Sequence, residues 1–514
     1  MPRCTPLFAL LFAALTSTTA SANVPRTPTS PSQPPSDAAM DAAHAAYAQQ
    51  WDTAIEQSRS GNTLAALIAM ERLMDNPLLA DFDAERRGRA AQIAGWTAAM
   101  QKQPALARRY LQLALLALLA LPGDASILTT LVSLDLNDDQ PAAAVEHLTQ
   151  ALARADSPLA IDHHTVSYLQ YHLREQPAQR MALLQALFDN GWKSAGTEPT
   201  GLWLELATLQ ADNGRGDAIP TTLARIDTPA ELIRLRSDKR FDRYVDRHDA
   251  RFDPVKAAQR HLDALRVSGL LDGDLDARLV DFSSTLLMLD RNEEVLGLTD
   301  TLAEAAAEGQ SPSAANAEWL AWLLNSRIAA LRRLGRTDEV LATAKLAARI
   351  GALGPDGLEH QMNVAFVLSS LGQAQEAGAA IATLTDLSGY GRAAQAVIQF
   401  AAARQRGDAA AAAAARAVII AQRQDARLFH REMLLEEGDL DGAAAVLIEQ
   451  LRSPLERSDA LASLQDMRVY PSLPGDVRID SAWRALKQRA DVQAEVSRVG
   501  RIERYDLVGS ATSR

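Results

Sequence analysis

Residues 372–384, GQAQEAGAAIATL, share one plan with residues 407–419, GDAAAAAAARAVI, and 438–451, GDLDGAAAVLIEQL. Each opens on a glycine, which supplies the left-handed turn that ends one helix before the next begins. Five residues on comes a small side chain, Ala377, Ala412 or Ala443, where a second helix would lie close against the first. Apolar residues four and seven further on, such as Ile381 with Leu384, then face the next pair, as Leu447 does with Leu451 nearby. Residues 61–74, GNTLAALIAMERLM, repeat the plan with Ala66, Met70 and Leu73. Residues 334–341, LGRTDEVL, are echoed by 289–296, LDRNEEVL, with Val340 and Val295 at the small position. Gly335, Gly372, Gly407 and Gly438 are separated by 37, 35 and 31 residues, about the length of a helix–turn–helix of two 12–15-residue helices.

Outward from these stretches, the chain from Ala38 onward is dominated by Ala and Leu. Apolar residues recur at i, i+3, i+4 and i+7, and alternating β-branched runs are essentially absent. The breaks are short and hold Gly, Asp, Asn or Pro, which suits antiparallel neighbours. The expected fold is all-α, a right-handed α-solenoid of antiparallel helix pairs.

At these residues the sequence resembles the tetratricopeptide-repeat (TPR) family. The resemblance covers about two-thirds of the mature chain, with the clearest units beginning near Tyr47, Ala125, Thr200, Ala321, Leu358 and Gln424. Gly95, Trp203 with Leu206, and Pro77 also fall where that family prefers Gly, Trp-Leu and Pro. The family binds partners in the concave groove lined by its first helices. By that resemblance the groove residues here are Trp322, Asn325, Ala329 and Arg332 in one unit, Glu359, Met362, Phe366 and Ser369 in the next, and Arg404 in the one after. Trp319 and Trp322 could equally be inter-repeat core, since a shift of one residue in register exchanges the two roles. The family's carboxylate clamp finds no matching constellation in a chain with six lysines.

Hydrophobic residues make up 47% and charged residues 23% of the 514, which is ordinary globular composition. The formal charge of −12 argues against non-specific nucleic-acid binding, which relies on a positive field. Aromatics at 5% are too few to make a sugar-stacking cleft the default. Residues 1–22 read as a secretory signal peptide: Arg3, an apolar run from Leu7 to Leu15, and Ala20-Ser21-Ala22 before the cut after Ala22. A short anchor is the alternative, although the run is shorter than the ~20 residues a span needs. The one cysteine, Cys4, precedes that run, so the mature chain would hold no disulfide, thiolate or cysteine-bound zinc. No membrane span is expected after cleavage, because the apolar stretch Leu111 to Leu121 has the length of a buried helix. The expected location is the periplasm or the medium.

The domain reading follows. Residues 23–37 hold five prolines and form a linker. A helical-repeat array takes 38–227, an irregular charged connector 228–260, a second TPR-like array 261–455, and capping helices with a tail 456–514. In the connector, Phe241, Tyr244, Val245, His248 and Phe252 follow helical spacing, with Lys239–Asp242 and Arg243–Asp246 as i, i+3 pairs. Pro471 and Pro474 mark a loop, and Ile479 to Arg504 reads as a closing helical cap.

Chemistry finds little purchase. Asp162, His163, His164 and His172 cluster, but the spacing does not set two imidazoles on one helical turn and no HExxH is present. Asp272, Asp274 and Asp276 mimic a calcium loop without its Gly and bidentate Glu, so an acidic turn capping the next helix explains them better. Gly389-Tyr390-Gly391 lacks the third glycine of a nucleotide loop. No cofactor and no metal is expected. The leading expectation is a non-catalytic scaffold binding protein partners of the cell envelope; by analogy, similar exported repeat proteins assist polysaccharide secretion or outer-membrane assembly. The alternatives are an envelope enzyme or carbohydrate-binding protein on a helical scaffold, and a subunit stable only within a complex.

Overall fold

The computed structural model describes residues 37–118, 125–194, 196–269, 275–310, 312–354, 357–385, 387–424 and 426–509. The signal-peptide reading, nearly all of the linker, and Asp272 with Asp274 lie outside these residues. Within them the chain is 74% helical, with 25 α-helices and almost no sheet. It divides into two compact units between Leu209 and Gln210.

In the first unit, α1 (Asp37–Arg59) pairs with α2 (Thr63–Met74), α3 (Ala84–Met100) with α4 (Pro104–Leu118), and α5 (Ser126–Asn137) with α6 (Pro141–Arg154). Then come α7 (His163–His172), α8 (Pro177–Asn190) and α9 (Thr200–Asp212), the last crossing the division. First helices also touch first helices, α1 on α3 and α3 on α5, which is the stacking of a solenoid. Gly95 has a packing reason: a Cβ there would come within 2.7 Å of Leu111 Cγ on α4. The expected small and apolar positions Ala66, Met70 and Leu73 are buried, as are Trp203 and Leu206. The leucine-rich α4 buries Leu111, Ala114 and Leu118 but exposes Leu113 and Leu116. No helix among the described residues is long and apolar enough to cross a membrane. Asp162 caps α7, accepting from the Thr165 amide at 2.8 Å, and His163 sits between Ser167 and Ser194. No group of three or more metal-ligating side chains gathers among the described residues.

The second unit begins with α10 (Ile219–Leu223), α11 (Pro229–Ser237) and α12 (Pro254–Gly269). Five pairs follow: α13 (Ala277–Met288) with α14 (Asn292–Ala307), α15 (Ala314–Arg333) with α16 (Thr337–Gly351), α17 (Gly357–Ser370) with α18 (Ala374–Ile381), α19 (Gly389–Arg406) with α20 (Ala409–Ala421), and α21 (Arg427–Glu437) with α22 (Leu440–Arg452). First helices meet first helices, α13 on α15, α17 on α19 and α19 on α21, and α14 meets α16. The segment closes with α23 (Arg457–Ser463), β1 (Asp466–Arg468), α24 (Val477–Lys487), α25 (Ala490–Val499) and β2 (Arg504–Val508). Asp276 caps α13 through the Arg278 and Leu279 amides, the role expected of that acidic turn.

The turn between paired helices has one geometry. Gly61, Gly335, Gly372, Gly407 and Gly438 all have φ between +71° and +87°. The next amide reaches back to the carbonyl five residues earlier, as Gln373 N does to Leu368 O at 2.8 Å and Asp439 N to Leu434 O at 2.9 Å. Where glycine is missing, Lys102, Asp139 and Asp290 take the same left-handed conformation and the same hydrogen bond, each at a cost of about 1 kcal/mol.

Two expectations need correction. Between α11 and α12 the connector forms no amphipathic helix; short 3-10 turns at Lys239–Phe241 and Ala250–Phe252 bury Phe241 and Phe252. Its expected ion pairs give way to other contacts: Asp242 pairs with Arg247 and Arg501, and Lys239 donates a hydrogen bond to the Ser497 carbonyl. Nor does the C-terminus simply cap one end. Beyond α25 the chain runs as β2, parallel to β1, and packs on α12 and α13 at the other end of the array. The short α11 lies against both α12 and α23, so helices from the beginning and the end of this unit are joined.

Charge crosses the joint, Arg234 of α11 reaching Asp459 of α23 at 2.9 Å, and a buried ion pair lies at the end of α11. Asp238, with no exposed surface, accepts from the Arg240 amide at 2.9 Å and from its guanidinium at 2.9 and 2.6 Å. Arg240 continues to Asp212 at 2.9 Å. Asp238 also forms a backbone bridge with Gly500, where a Cβ would stand 2.3 Å from Ser237 O.

Nearby, the Asp281 carboxylate at 2.7 Å from His261 Nε2 pushes the imidazole above its usual range, partial burial opposing. A raised folded-state pKa stabilises in full below the unfolded value, about 6.5, and the contribution disappears as pH climbs through the higher folded value. Wild-type stability should therefore fall relative to His261→Gln as pH rises above about 6.5, by no more than about 1 kcal/mol for this half-exposed pair. Melting temperatures of both chains across pH 5.5–8.5 test this; parallel curves would overturn it.

Candidate interaction face

The first helices α13, α15, α17, α19 and α21 form one layer of the second unit, and the expected groove residues fall on three of them. The C-terminal ends of α13, α15, α17 and α21 are met by the chain itself. Tyr470 donates to Asp290 in the turn after α13, where Arg468 also reaches Asp290 at 3.0 Å. The Arg333 guanidinium lies 5.6 Å from the centre of the Tyr470 ring. Arg332 donates to Asp476 at 2.6 Å, and Ser370 Oγ donates to the same carboxylate at 3.1 Å. The Gly475 amide binds the Ser370 carbonyl at 2.8 Å. Further along, Trp483 of α24 lies 4.8 Å under the guanidinium of Arg431 on α21. Burial pulls Arg431 down to about 10, with Glu432 opposing. Residues 468–483 thus occupy the end of the layer where Arg332 and Ser369 were expected to meet a partner.

The other predicted residues divide. Met362 is only 7% exposed and packs into the core with Ala365, Ala394 and Phe429, because its face of α17 turns toward α19. Arg404 is half-buried, its guanidinium 5.7 Å from the Phe400 ring. Ala329 packs on the core cluster around Leu331. Trp322 is half-buried with its ring edge-on to His360 at 4.9 Å, and Asn325 Nδ2 is 3.3 Å from the same imidazole. Phe366 stacks on Phe429 at 6.2 Å, and Glu359 is exposed.

Three residues of this face escaped the sequence reading. His360 is buried against Gly351, where a Cβ would lie 2.3 Å from its ring. Phe429 lies in a unit onto which no groove position was carried. Tyr390, 53% exposed, stands 5.0 Å from Phe429 and completes a run of three aromatic rings across α17, α19 and α21. Burial, Glu432 and Glu359 together push its hydroxyl up. Its signal in the sequence is Gly389-Tyr390-Gly391, the stretch that lacks the third glycine of a nucleotide loop. Ser388 caps α19 through the Gly391 amide at 3.1 Å, which places Tyr390 in the first turn.

The stacked pairs define the class: an all-α solenoid of two-helix repeats whose second unit keeps part of its first-helix layer uncovered. No family model matches the chain, and no curated protein matches it. Among solved structures it is similar to a chain of "Structure of Naa15/Naa10 bound to HypK-THB", at 12% identity over 88% of this chain and 79% of that one, with a TM-score of 0.20. It is also similar to a "Circular tandem repeat protein with novel repeat topology and enhanced subunit contact surfaces", at 13% identity over 90% and 98%, with a TM-score of 0.12. At such TM-scores the fold assignment stands on the helix pairing and its turns.

Proposed function

We propose that this chain is a non-catalytic protein-interaction scaffold of the cell envelope, exported through the segment at residues 1–22. The observation that carries the reading is the Phe366–Phe429–Tyr390 run, because it ends on an exposed ring while the neighbouring stretch of the layer is closed by residues 468–483. Exposed aromatic side chains seated on buried ones are what interface hot spots are made of. A role beside polysaccharide export or outer-membrane assembly follows from the analogy with exported repeat proteins.

The test is affinity capture from the native envelope fraction with the full mature chain and with Tyr390→Ala. The expected result is one dominant protein partner whose recovery drops at least fivefold in the variant, about 1 kcal/mol at a rim aromatic. A partner recovered equally by both would move the contact off this face. Enrichment of glycan in place of protein would overturn the scaffold reading.

A further inference from the structure

The second helices α18 and α20 do not close over α19. They leave an open groove of about 490 Å³ with α19 as its floor. Gln399, Ala402 and Arg406 line it from α19, and Ala411, Ala415 and Val418 line it from α20. Steps of three and four residues make each set one helical stripe, so the groove follows the helix axes for about 10 Å, or two turns. Gly378 stands in its α18 wall, in the middle of that helix. Glycine is less stable than alanine at such a place. Gly88 and Gly95 of α3 have a packing reason, since a Cβ at either would come within 2.7 Å of Leu118 or Leu111. At Gly378 the chain itself does not need the space: a Cβ there would stand 3.8 Å from Ala402 and from Arg406, which is ordinary contact.

The polar groups of the groove are free as well. Arg406 in the last turn of α19, Gln399, and Gln375 in the first turn of α18 have no side-chain hydrogen bond or ion pair with any described residue. No carboxylate lines the groove. Asp408 is held as the cap of α20, accepting from the Ala411 amide at 3.0 Å, and Glu376 is exposed outside the lining.

We propose that this groove docks an α-helix of a protein partner, whose small and apolar face lies along Gly378, Ala402 and Ala415 and whose carboxylate pairs with Arg406. The inference goes beyond the scaffold reading above, because it adds a surface on the second helices to the one marked by Tyr390. A helix fits better than an extended peptide. Alanine and glycine side chains offer no partners to the backbone N–H and C=O groups of a strand, whereas a helix pairs its own. The missing Cβ at Gly378 and the alanines around it let two helix axes approach closely. The one charge in the lining is positive and has no counter-ion, so the complementary partner is acidic, and the two glutamines supply further donors beside it.

The experiment uses the full mature chain and a fluorescein-labelled peptide of two heptads of Leu-Ala-Gln-Leu-Ala-Gln-Glu, held helical by a hydrocarbon staple, with glutamine and lysine counterparts at the Glu position. Binding is read by fluorescence anisotropy. The glutamate peptide should bind most tightly and the lysine peptide least. Arg406→Gln should weaken the glutamate peptide about threefold and erase its advantage over the glutamine peptide. Gly378→Leu fills the groove and should weaken binding about tenfold or more. Its melting temperature should equal that of wild type or rise by about 2 °C, because leucine suits a helix better than glycine, and this separates lost docking from lost fold. Gly297→Leu, at a mid-helix glycine of α14 with nothing within 4 Å of its Cβ position, should share that stability and change binding less than about twofold. No binding by the glutamate peptide, or equal losses in the two glycine variants, would overturn the inference. If binding depends on Gly378 and Arg406 while capture from the envelope ignores Tyr390, this groove stands and the Tyr390 face falls.

Discussion

Replacing Asp238 with Ala is expected to lower the unfolding free energy by about 3–5 kcal/mol, the cost of leaving one buried charge without its partner. Asp238 is wholly buried, and its two oxygens take three hydrogen bonds from Arg240, whose remaining nitrogen donates to Asp212 and to the Pro454 carbonyl at 3.3 Å. Without the carboxylate, a guanidinium only 11% exposed keeps one carboxylate neighbour and loses its better one. Asp238→Asn retains an oxygen acceptor for the Arg240 amide and should cost less. Denaturant unfolding of wild type and both variants measures the difference. A loss below about 1 kcal/mol for Asp238→Ala would mean that water reaches the pair, as at a surface ion pair.

The second large effect is expected at Trp203, where substitution by Ala should remove about 3–5 kcal/mol. The indole has no exposed surface, meets the Phe188 ring edge-on at 5.1 Å, and donates from Nε1 to Glu198 at 2.6 Å. Truncation therefore opens a cavity the size of an indole beside the Phe188 ring and removes the Nε1 donor from the Glu198 carboxylate. Trp203→Phe keeps most of the apolar volume and should cost about half as much, chiefly through the lost hydrogen bond and the smaller ring. Equal costs for the two variants would place the value of Trp203 in its N–H and not in its packing.

Much of the fold is legible in the sequence because helix pairs are local. A glycine, a small residue five places on and an apolar stripe can all be read within one window, and Gly372, Ala377 and Ile381 stand in the structure where that reading puts them. Lys102, Asp139 and Asp290 adopt the glycine conformation without a compositional signal, because the helices they join compel it. The C-terminal return is invisible for a different reason. It depends on partners more than 250 residues away, such as Arg236 with Glu503 and Arg501 with the Arg236 carbonyl. Alternation in Arg504-Tyr505-Asp506-Leu507 was the one local hint of β2, in a run too short to stand out from helix. The connector misled because Phe241 and Phe252 can be brought inward by 3-10 turns as well as by a helix. At the candidate face, register decides everything: one residue of drift turns Met362 from groove to core, while Tyr390, outside every aligned position, supplies the exposed ring.

The joint between α11 and α23 changes how the second unit should behave as a chain. An open solenoid is close to one-dimensional: each repeat answers only to its neighbours, ends fray, and repeats can be added or removed with roughly additive effect. Joining the ends through Asp238 and Gly500 imposes a long-range term that every repeat between them shares. The number of repeats is then set by closure, and a deletion of one pair would be felt across the circuit. Synthesis has a consequence too. Helix pairs from α13 to α22 can form as they emerge, but the contacts that join them wait for residues 500–508, so this unit completes its fold only after those residues have left the ribosome.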